Sequence, residues 1–412
     1  TEIKKKAHSF RCGSVKERNS KLMIEINKKS IIKDSKYINN LLIEGDNIKA
    51  LKELEKDYTN KIKVIYIDPP YNTKNKKFIY NDSFKDSEWI SFMKERLLLS
   101  KNLLHDEGII FISIDDNELY NLKPLCDEIF NRNNFIENFI WVKNSTKNNS
   151  KTSSNNHEYI LCYAKDINKI KDKKYFRIKK EGYDEVLRFV NDKKSIKKTP
   201  EEIEEELKVL FKNNKNWKGI SCYKYIDEEY KIYSSGDLSS PQEGYIYNII
   251  HPTTKKACKM PVNGWRYKEE QLKDLIDKNK IIFGKDEKKV PRYKRFLTDV
   301  EEEVLKSVIT NNDDGKKELI KFFGGKSPFN NPKPISLIKT LINCVPDKDI
   351  IVLDFFAGSG TTGHATIDLN KLDNGKRKFI LCNNNENNIC EEITYKRIKK
   401  VLDSSNLIYY KI

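Results

Sequence analysis

The sequence predicts an α/β fold: a doubly wound, mostly parallel sheet with an α+β domain inserted into it. Three observations lead there. Apolar runs of strand length alternate with helix-length amphipathic stretches over residues 40–165, the pattern of successive βαβ units. The alternation fails over 166–295, where lysine runs (Lys171 to Lys180), an acidic helix (Glu201 to Leu210) and tyrosine-rich segments punctuated by Gly and Pro stand. It returns from Ile350 to Val401. One sheet built from both ends of the chain, with the middle inserted, accommodates this order. The expected divisions are a basic N-terminal arm over 1–39, a first sheet segment over 40–165, the insert over 166–295 and a second sheet segment over 296–412.

Leu41-Leu42-Ile43 reads as a short strand ending at Glu44-Gly45-Asp46, with a helix from Asn47 to Asp57 behind it. Ile62 to Ile67 is apolar almost throughout, as a strand buried on both faces must be. Glu88 to His105 reads as an amphipathic helix stopped at Gly108, followed by a strand from Ile109 to Ile114 and a helix from Glu118 to Phe130. Phe139 to Val142 and Glu158 to Ala164 read as strands. The stretch between them, Asn144 to Asn156, is Ser/Asn/Lys-rich and reads as a mobile loop. In the second block Ile350 to Phe355 and Lys378 to Cys382 are expected strands, and Thr361 to Leu369 and Ile389 to Val401 expected helices.

Two turns carry chemistry. The first is Asp68-Pro69-Pro70-Tyr71-Asn72-Thr73, directly after the strand Ile62–Ile67. Its prolines fix two backbone angles and remove two donors, which leaves rigid carbonyls beside a carboxylate and a flat ring. That set suits a planar group bearing an NH2. The second is Asp354-Phe355-Phe356-Ala357-Gly358-Ser359-Gly360-Thr361, where glycines let backbone approach a ligand and start a helix at once. Gly358, Gly360 and Gly363 satisfy G-x-G-x-x-G formally, a weak signal alone. No Gly-Lys-Ser/Thr follows, which excludes a P-loop. A dinucleotide site wants an acid at the end of the next strand; Glu386 comes three residues late, after Asn383-Asn384-Asn385. In open α/β sheets ligands sit at the C-terminal strand ends where strand order reverses, so the two turns can meet there if their strands are neighbours.

As a pair, in this chain order, Asp-Pro-Pro-Tyr and Phe-x-Gly-x-Gly resemble the β class of DNA amino-methyltransferases that use S-adenosylmethionine. Leu42-Ile43-Glu44-Gly45-Asp46-Asn47, Ile112-Ser113-Ile114-Asp115-Asp116-Asn117-Glu118, His157-Glu158-Tyr159-Ile160-Leu161 and Asn331-Pro332-Lys333-Pro334 are similar to segments of the modification (Mod) subunits of type III restriction–modification systems. The resemblance covers residues 40–165 and 296–402. It implies a Rossmann-like methyltransferase fold, and methyl transfer from S-adenosylmethionine to adenine N6 at specific sites in double-stranded DNA, with the base flipped out of the duplex. Asp68 and the Pro69 carbonyl are the expected acceptors for the two N6–H bonds, held by Pro70, with Tyr71 stacking on the base. The cofactor is expected along Phe355, Phe356, Ala357, Gly358, Ser359, Gly360 and Thr361, with Asp354 near its methionine amino group. Asp46 is a candidate for the cofactor's adenine or, alternatively, a helix cap. Lys333 is a candidate for the methionine carboxylate or, alternatively, a surface charge. The ribose contact lies between Asn383 and Glu386. Asp115 and Asp116 read as caps, and His157 as a local bond.

Other readings keep the fold and change the target, to cytosine N4 or to an RNA or protein amine, or make the chain a non-catalytic DNA-recognition subunit. A homodimer and a restriction partner with helicase and nuclease activity follow from the resemblance alone. Mod subunits are often longer, so the chain reads as a compact version or as a solitary type II-like enzyme.

Composition agrees with a nucleic-acid partner. The 412 residues carry a formal net charge of +17, although a chain this rich in Lys, Asn and Ile owes part of that to compositional drift. The aromatics Trp217, Tyr223, Tyr225, Tyr245, Tyr247 and Trp265, with Arg266 and Arg292, make the insert the expected target-recognition domain, and Tyr245 to Trp265 its expected β region beside DNA. The eight cysteines form no C-x-x-C pair, so neither a metal nor a redox motif is expected, and reduced thiols fit a cytoplasmic protein. No signal peptide, membrane-spanning run or lipidation motif stands in the sequence.

Overall fold

A computed structural model describes residues 25–26, 39–74, 82–143, 153–310, 313–402 and 406–412. Most of the expected basic arm, and residues 144–152 of the expected mobile loop, lie outside these. The described chain divides into two compact units, one of Thr1–Arg177 with Leu305–Ile412 and one of Ile178–Val304.

The first unit holds a ten-stranded sheet. Its strands are β1 (Glu25–Ile26), β2 (Asn39–Glu44), β3 (Ile62–Ile67), β4 (Leu104–Ile114), β5 (Phe135–Val142), β6 (His157–Ala164), β7 (Val308–Thr310), β8 (Ile351–Asp354), β9 (Lys378–Asn383) and β10 (Asn406–Lys411). They lie in the order β1-β10-β2-β9-β8-β3-β4-β6-β5-β7. From β10 to β4 all neighbours are parallel, while β1, β6 and β5 introduce antiparallel pairs. The sheet is α/β and mostly parallel, built from both ends of the chain.

The order reverses between β8 and β3, which pair through Val352–Val64 and Leu353–Ile65. From β3 the chain moves on to β4; from β8 it moves the other way to β9. The connecting helices leave on opposite faces. Every β3 residue is buried, and their alternation explains why. Ile65 and Ile67 pack with Trp89, Met93 and Leu97 of helix Asp86–Leu103. Val64 and Tyr66 pack with Leu337 and Leu341 of helix Ile335–Ile342 and Ala365 of helix Thr361–Asp373. A strand covered on both faces has no room for alternating polar residues, hence the continuous apolar run. The exception, Lys63, takes its ammonium to Glu107 (2.8 Å) and Asp347 (3.1 Å).

Several expectations are corrected. Gly108 does not end a helix. The helix ends at Leu103 and β4 runs through the glycine, because a Cβ there would stand 2.9 Å from the Ile62 carbonyl oxygen of the neighbouring strand. The expected helix Ile389 to Val401 is a π-helical turn over Ile389–Tyr395 that continues as α-helix over Lys396–Val401.

The second compact unit starts later and ends later than 166–295. Ile170 and Tyr175 are buried in the large sheet's core, and the Tyr175 hydroxyl donates to the Glu107 carbonyl (2.8 Å). Leu297 and Val300 belong to the insert's own core with Val186, Leu207 and Ile226. The unit is α+β. Strands Tyr225–Ile226, Ile232–Asp237, Arg292–Phe296 and Ile281–Ile282 form an antiparallel four-stranded sheet, accompanied by helices Tyr183–Ser195, Pro200–Asn213 and Glu269–Asp277. Tyr245 to Trp265 forms only isolated bridges (Ser239–Trp265, Tyr245–Trp265, Ile250–Ala257) and no regular β region.

Candidate active site

The turn after β3 is pinned from several sides. Asn72 adopts a left-handed conformation (φ 58°), which asparagine tolerates. Its N–H and that of Thr73 donate to the Asp82 carboxylate (2.8 and 3.1 Å). Its side-chain amide donates to buried Glu118 (2.7 Å) and accepts from the Phe84 N–H (2.8 Å). The Trp89 indole donates to the Pro70 carbonyl (2.8 Å). Among the described residues nothing donates to the Pro69 carbonyl.

Asp68 sits in a cluster of charges. The Lys333 ammonium donates to both its carboxylate oxygens (2.7 Å each) and stands 3.3 Å from Glu158. The Tyr71 hydroxyl lies 2.8 Å from Asp68 Oδ1 and 3.1 Å from Glu158 Oε2, so it donates to one of the two at a time. Lys143 reaches the other Glu158 oxygen (2.8 Å). Burial pushes the Asp68 carboxyl up and Glu158 adds to this; Lys333 pulls it down but leaves it above the ordinary value. Burial pushes Glu158 up as well, but there Lys333 and Lys143 win and hold it below the ordinary range. Burial alone would make Lys333 a weaker base; Asp68 and Glu158 outweigh it and keep the ammonium charged.

The second turn is built on Asp354, 2% exposed. Its carboxylate accepts from the Phe356 N–H (3.0 Å) and the Thr362 hydroxyl (2.6 Å). Burial pushes its pKa up to about 7, above what those two bonds offset. Gly358 and Gly360 take positive φ (48° and 78°), which L side chains rarely adopt. Arg397, 1% exposed, holds the turn from beneath, donating to the Ser359 hydroxyl (3.0 Å) and carbonyl (3.3 Å) and to the Thr361 hydroxyl (2.9 Å). The Asn383 amide donates to the Gly358 carbonyl (3.0 Å) and to Thr394 (2.9 Å). Asn47 donates to the Phe355 carbonyl (3.0 Å) and accepts from Arg96 (2.7 Å).

Both turns open into one cavity of about 280 Å³. Of the expected residues, Asp46, Asp68, Pro70, Lys333, Asp354, Phe355, Phe356, Ala357, Gly358, Ser359, Thr361, Asn383 and Glu386 line it; Pro69, Tyr71 and Gly360 stand next to lining residues in the chain. Asp46 lines the cavity and also accepts the Lys49 N–H as a helix cap (3.1 Å). Lys333 is neither on the surface nor unpaired, because Asp68 and Glu158 take its ammonium. The Asn383 amide holds the glycine turn, whereas Glu386 is exposed at the rim. His157 bonds locally to Tyr159 (2.9 Å), and Asp115 accepts the Asn117 N–H (3.0 Å) in the turn before helix Leu119–Phe130.

The lining suits the expected cofactor. Phe84, Phe92, Phe329 and Phe356 offer flat apolar walls, and four carboxylates (Asp46, Asp68, Asp354, Glu386) face two cations (Arg96, Lys333). An acidic excess of that kind favours a ligand bearing an ammonium and a sulfonium. Sequence reasoning did not single out Glu158, Arg96, Arg397, Trp89 or Asp82. Glu158 stood inside a quoted segment; the others gave no local signal.

In the second unit most of the singled-out aromatics are structural. Trp265 and Tyr223 are buried, and the Trp265 indole donates to the Tyr247 carbonyl (2.8 Å). Trp217 packs on Gly182, where a Cβ would come within 2.2 Å of the indole. Tyr225 stacks on Tyr233. Tyr245 is 45% exposed, and Arg266 and Arg292 are also exposed.

A DNA methylase family model (N6/N4 type) matches residues 62–394. The chain is 35% identical over 381 residues to the Mod subunit of the type III restriction–modification enzyme EcoP15I of Escherichia coli, covering 84% of this chain and 58% of that one. It is 33% identical over 404 residues to the StyLTI Mod subunit of Salmonella typhimurium, covering 89% and 56%. It is 31% identical over 381 residues to the type II methyltransferase M.KpnI of Klebsiella pneumoniae, covering 87% and 84%. The chain therefore spans little more than half the length of the two Mod subunits.

Proposed function

The chain belongs to the DNA methylase family, and from that premise we propose that it transfers a methyl group from S-adenosylmethionine to adenine N6 in double-stranded DNA. The observation that carries this is the pairing of β3 with β8, which brings Asp68 and the glycine turn to one cavity. The cofactor would be held by the turn Asp354 to Thr361, with Asp354 at its ammonium, the phenylalanines at its adenine and Glu386 or Asn383 at its ribose. When bound it supplies an electrophilic methyl carried on a sulfonium.

The chain's own residues prepare the nucleophile. Adenine N6 attacks poorly because its lone pair is delocalised into the ring. Acceptors on both N–H bonds bias the nitrogen towards a tetrahedral shape, and much of the rate comes from positioning. The Pro69 carbonyl serves one N–H. A carboxylate has about four lone-pair sites. Lys333 and Tyr71 use those of Asp68 Oδ1, and Lys333 uses one on Oδ2, which leaves Oδ2 a site for the second N–H. Asp68 then takes the proton that the nitrogen sheds. Tyr71, tethered at its hydroxyl, stacks on a base flipped from the duplex at a cost of roughly a few kcal/mol.

The unit Ile178–Val304 would read the target sequence, with exposed lysines and Arg266 on phosphates. By its likeness to Mod subunits the chain acts as the modification component of a restriction–modification system, as a homodimer and with a restriction subunit. Among the described residues no helix is long and apolar enough to cross a membrane. Single-molecule sequencing of DNA from a host expressing the protein tests the reading. N6-methyladenine in one sequence context supports it, N4-methylcytosine transfers the reading to cytosine, and unmodified DNA overturns it.

A further inference from the structure

Lys333 is a buried charge in the first unit, and the mechanism above gives it no task of its own. It is 8% exposed and touches both oxygens of the carboxylate that faces the cavity. The segment that carries it is fixed. Asn331 takes a left-handed turn (φ 51°). A Cβ on Gly315 would stand 2.1 Å from the Pro332 carbonyl oxygen, so helix Gly315–Phe323 lies hard against this segment. Glu318 accepts the Ile335 N–H (3.0 Å), which anchors the following helix.

Resting on the functional reading above, we propose that Lys333 is a positioning residue that fixes Asp68 as an aimed anion, with Glu158 and Tyr71 as the counterweight that holds the ammonium in place. The need for it follows from the chemistry. A protonated Asp68 would present an O–H donor to an N–H donor and lose its acceptor role. The groups facing Asp68 mostly favour that protonated form: Glu158 from β6, Asp354 from the end of β8, and the apolar burial around Tyr66 on β3, whose hydroxyl is taken by Ser113 (2.9 Å). Lys333 is the cation set against them, and Lys143, just after β5, reaches Glu158 rather than Asp68 among the described residues. An ammonium of this exposure is costly to desolvate. Two carboxylates around it, with the Tyr71 ring 5.1 Å away, offset that cost and stop it from swinging into the cavity.

Lys333 and Glu158 should therefore move the titration of Asp68 in opposite directions. An adjacent opposite charge shifts a carboxyl by ~1–3 pH units. The test is single-turnover methyl transfer from tritiated S-adenosylmethionine to unmethylated genomic DNA, from pH 5 to 9, with wild type, Lys333→Met, Lys333→Arg and Glu158→Gln. Circular dichroism at pH 8 checks the fold of each. In Lys333→Met the acidic limb should rise by about one pH unit or more, a loss of about tenfold at a pH below the limb that shrinks above it. Lys333→Arg should restore the limb, and Glu158→Gln should lower it. Reduced rates with limbs that stay in place would make Lys333 a structural ion-pair partner and overturn the proposal. If Lys333→Met does not fold, Glu158→Gln against wild type decides: a limb lowered there, with the limb of Lys333→Arg kept at its wild-type place, supports the proposal, and a limb unmoved in Glu158→Gln overturns it. A wild-type protein that labels no DNA would refute the methyltransferase reading itself, and the inference with it.

Discussion

Asp354→Asn should make the protein more stable and less able to hold its cofactor, and the stability gain should depend on pH in a defined direction. Asp354 is 2% exposed, and burial raises its pKa from 3.8 to about 7. Between those values the folded chain retains a proton that the unfolded chain has released. Stability contributed by this group is therefore lost as pH rises from about 4 to 7 and is constant above. The gap is about three pH units at ~1.4 kcal/mol each, or on the order of 4 kcal/mol in full, of which about 2.5 kcal/mol develops between pH 5 and pH 8. Asparagine does not ionise. Its carbonyl can still accept the Phe356 N–H, and its amide can donate to the Thr362 hydroxyl once that rotates, so the two bonds that fix the turn survive. Urea unfolding of both proteins at pH 5 and pH 8 isolates the effect, because titrations uncoupled from Asp354 cancel in the difference. The stability advantage of Asp354→Asn should grow by about 2–3 kcal/mol over that range, while calorimetry at pH 8 should show S-adenosylmethionine binding weakened at least about tenfold by the lost charge. An advantage that is flat or shrinks with pH would refute the assignment of Asp354 as a buried carboxyl waiting for a cation.

Other outcomes follow from single contacts. Trp89→Phe removes the indole bond to the Pro70 carbonyl and leaves a small void; denaturant unfolding should show a loss of about 2 kcal/mol, with methyl transfer slowed more than cofactor binding is weakened. Arg397→Met removes the donor to the Ser359 carbonyl and to the Ser359 and Thr361 hydroxyls; titration calorimetry should show S-adenosylmethionine affinity down about tenfold or more, at about 1.4 kcal/mol per decade. Gly358→Ala places a Cβ 3.0 Å from the Phe329 ring on a backbone at φ 48°; thermal melts should show a cost of about 1–2 kcal/mol.

The sheet was legible because its buried strands write their environment into contiguous residues. Ile62–Ile67 and Ile351–Asp354 carry apolar runs that end in turns of special composition, and the neighbourhood of β3 and β8 follows from where open sheets place ligands. Gly108 misled because a glycine serves a close strand–strand approach as well as it ends a helix. Tyr245 to Trp265 misled because Tyr247 and Trp265 pack into a core and the segment pairs only through isolated bridges. In the site, Asp68, Asp354 and the glycine turn announced themselves through local chemistry. Glu158, Arg397 and Trp89 did not, since each acts through a partner distant in sequence. Lys333 was noticed for its place before a helix, but only tertiary packing shows that its ammonium belongs to Asp68.

The most direct test of the account joins the two turns in one assay. Purified wild type and Asp68→Asn are incubated with isotope-labelled S-adenosylmethionine and unmethylated DNA, and the digested nucleosides are analysed by mass spectrometry alongside cofactor binding. Labelled N6-methyladenine is expected from wild type, with a loss of at least about a hundredfold in Asp68→Asn and cofactor affinity in the variant within a few-fold of wild type. Undiminished N6-methyladenine from Asp68→Asn would contradict it.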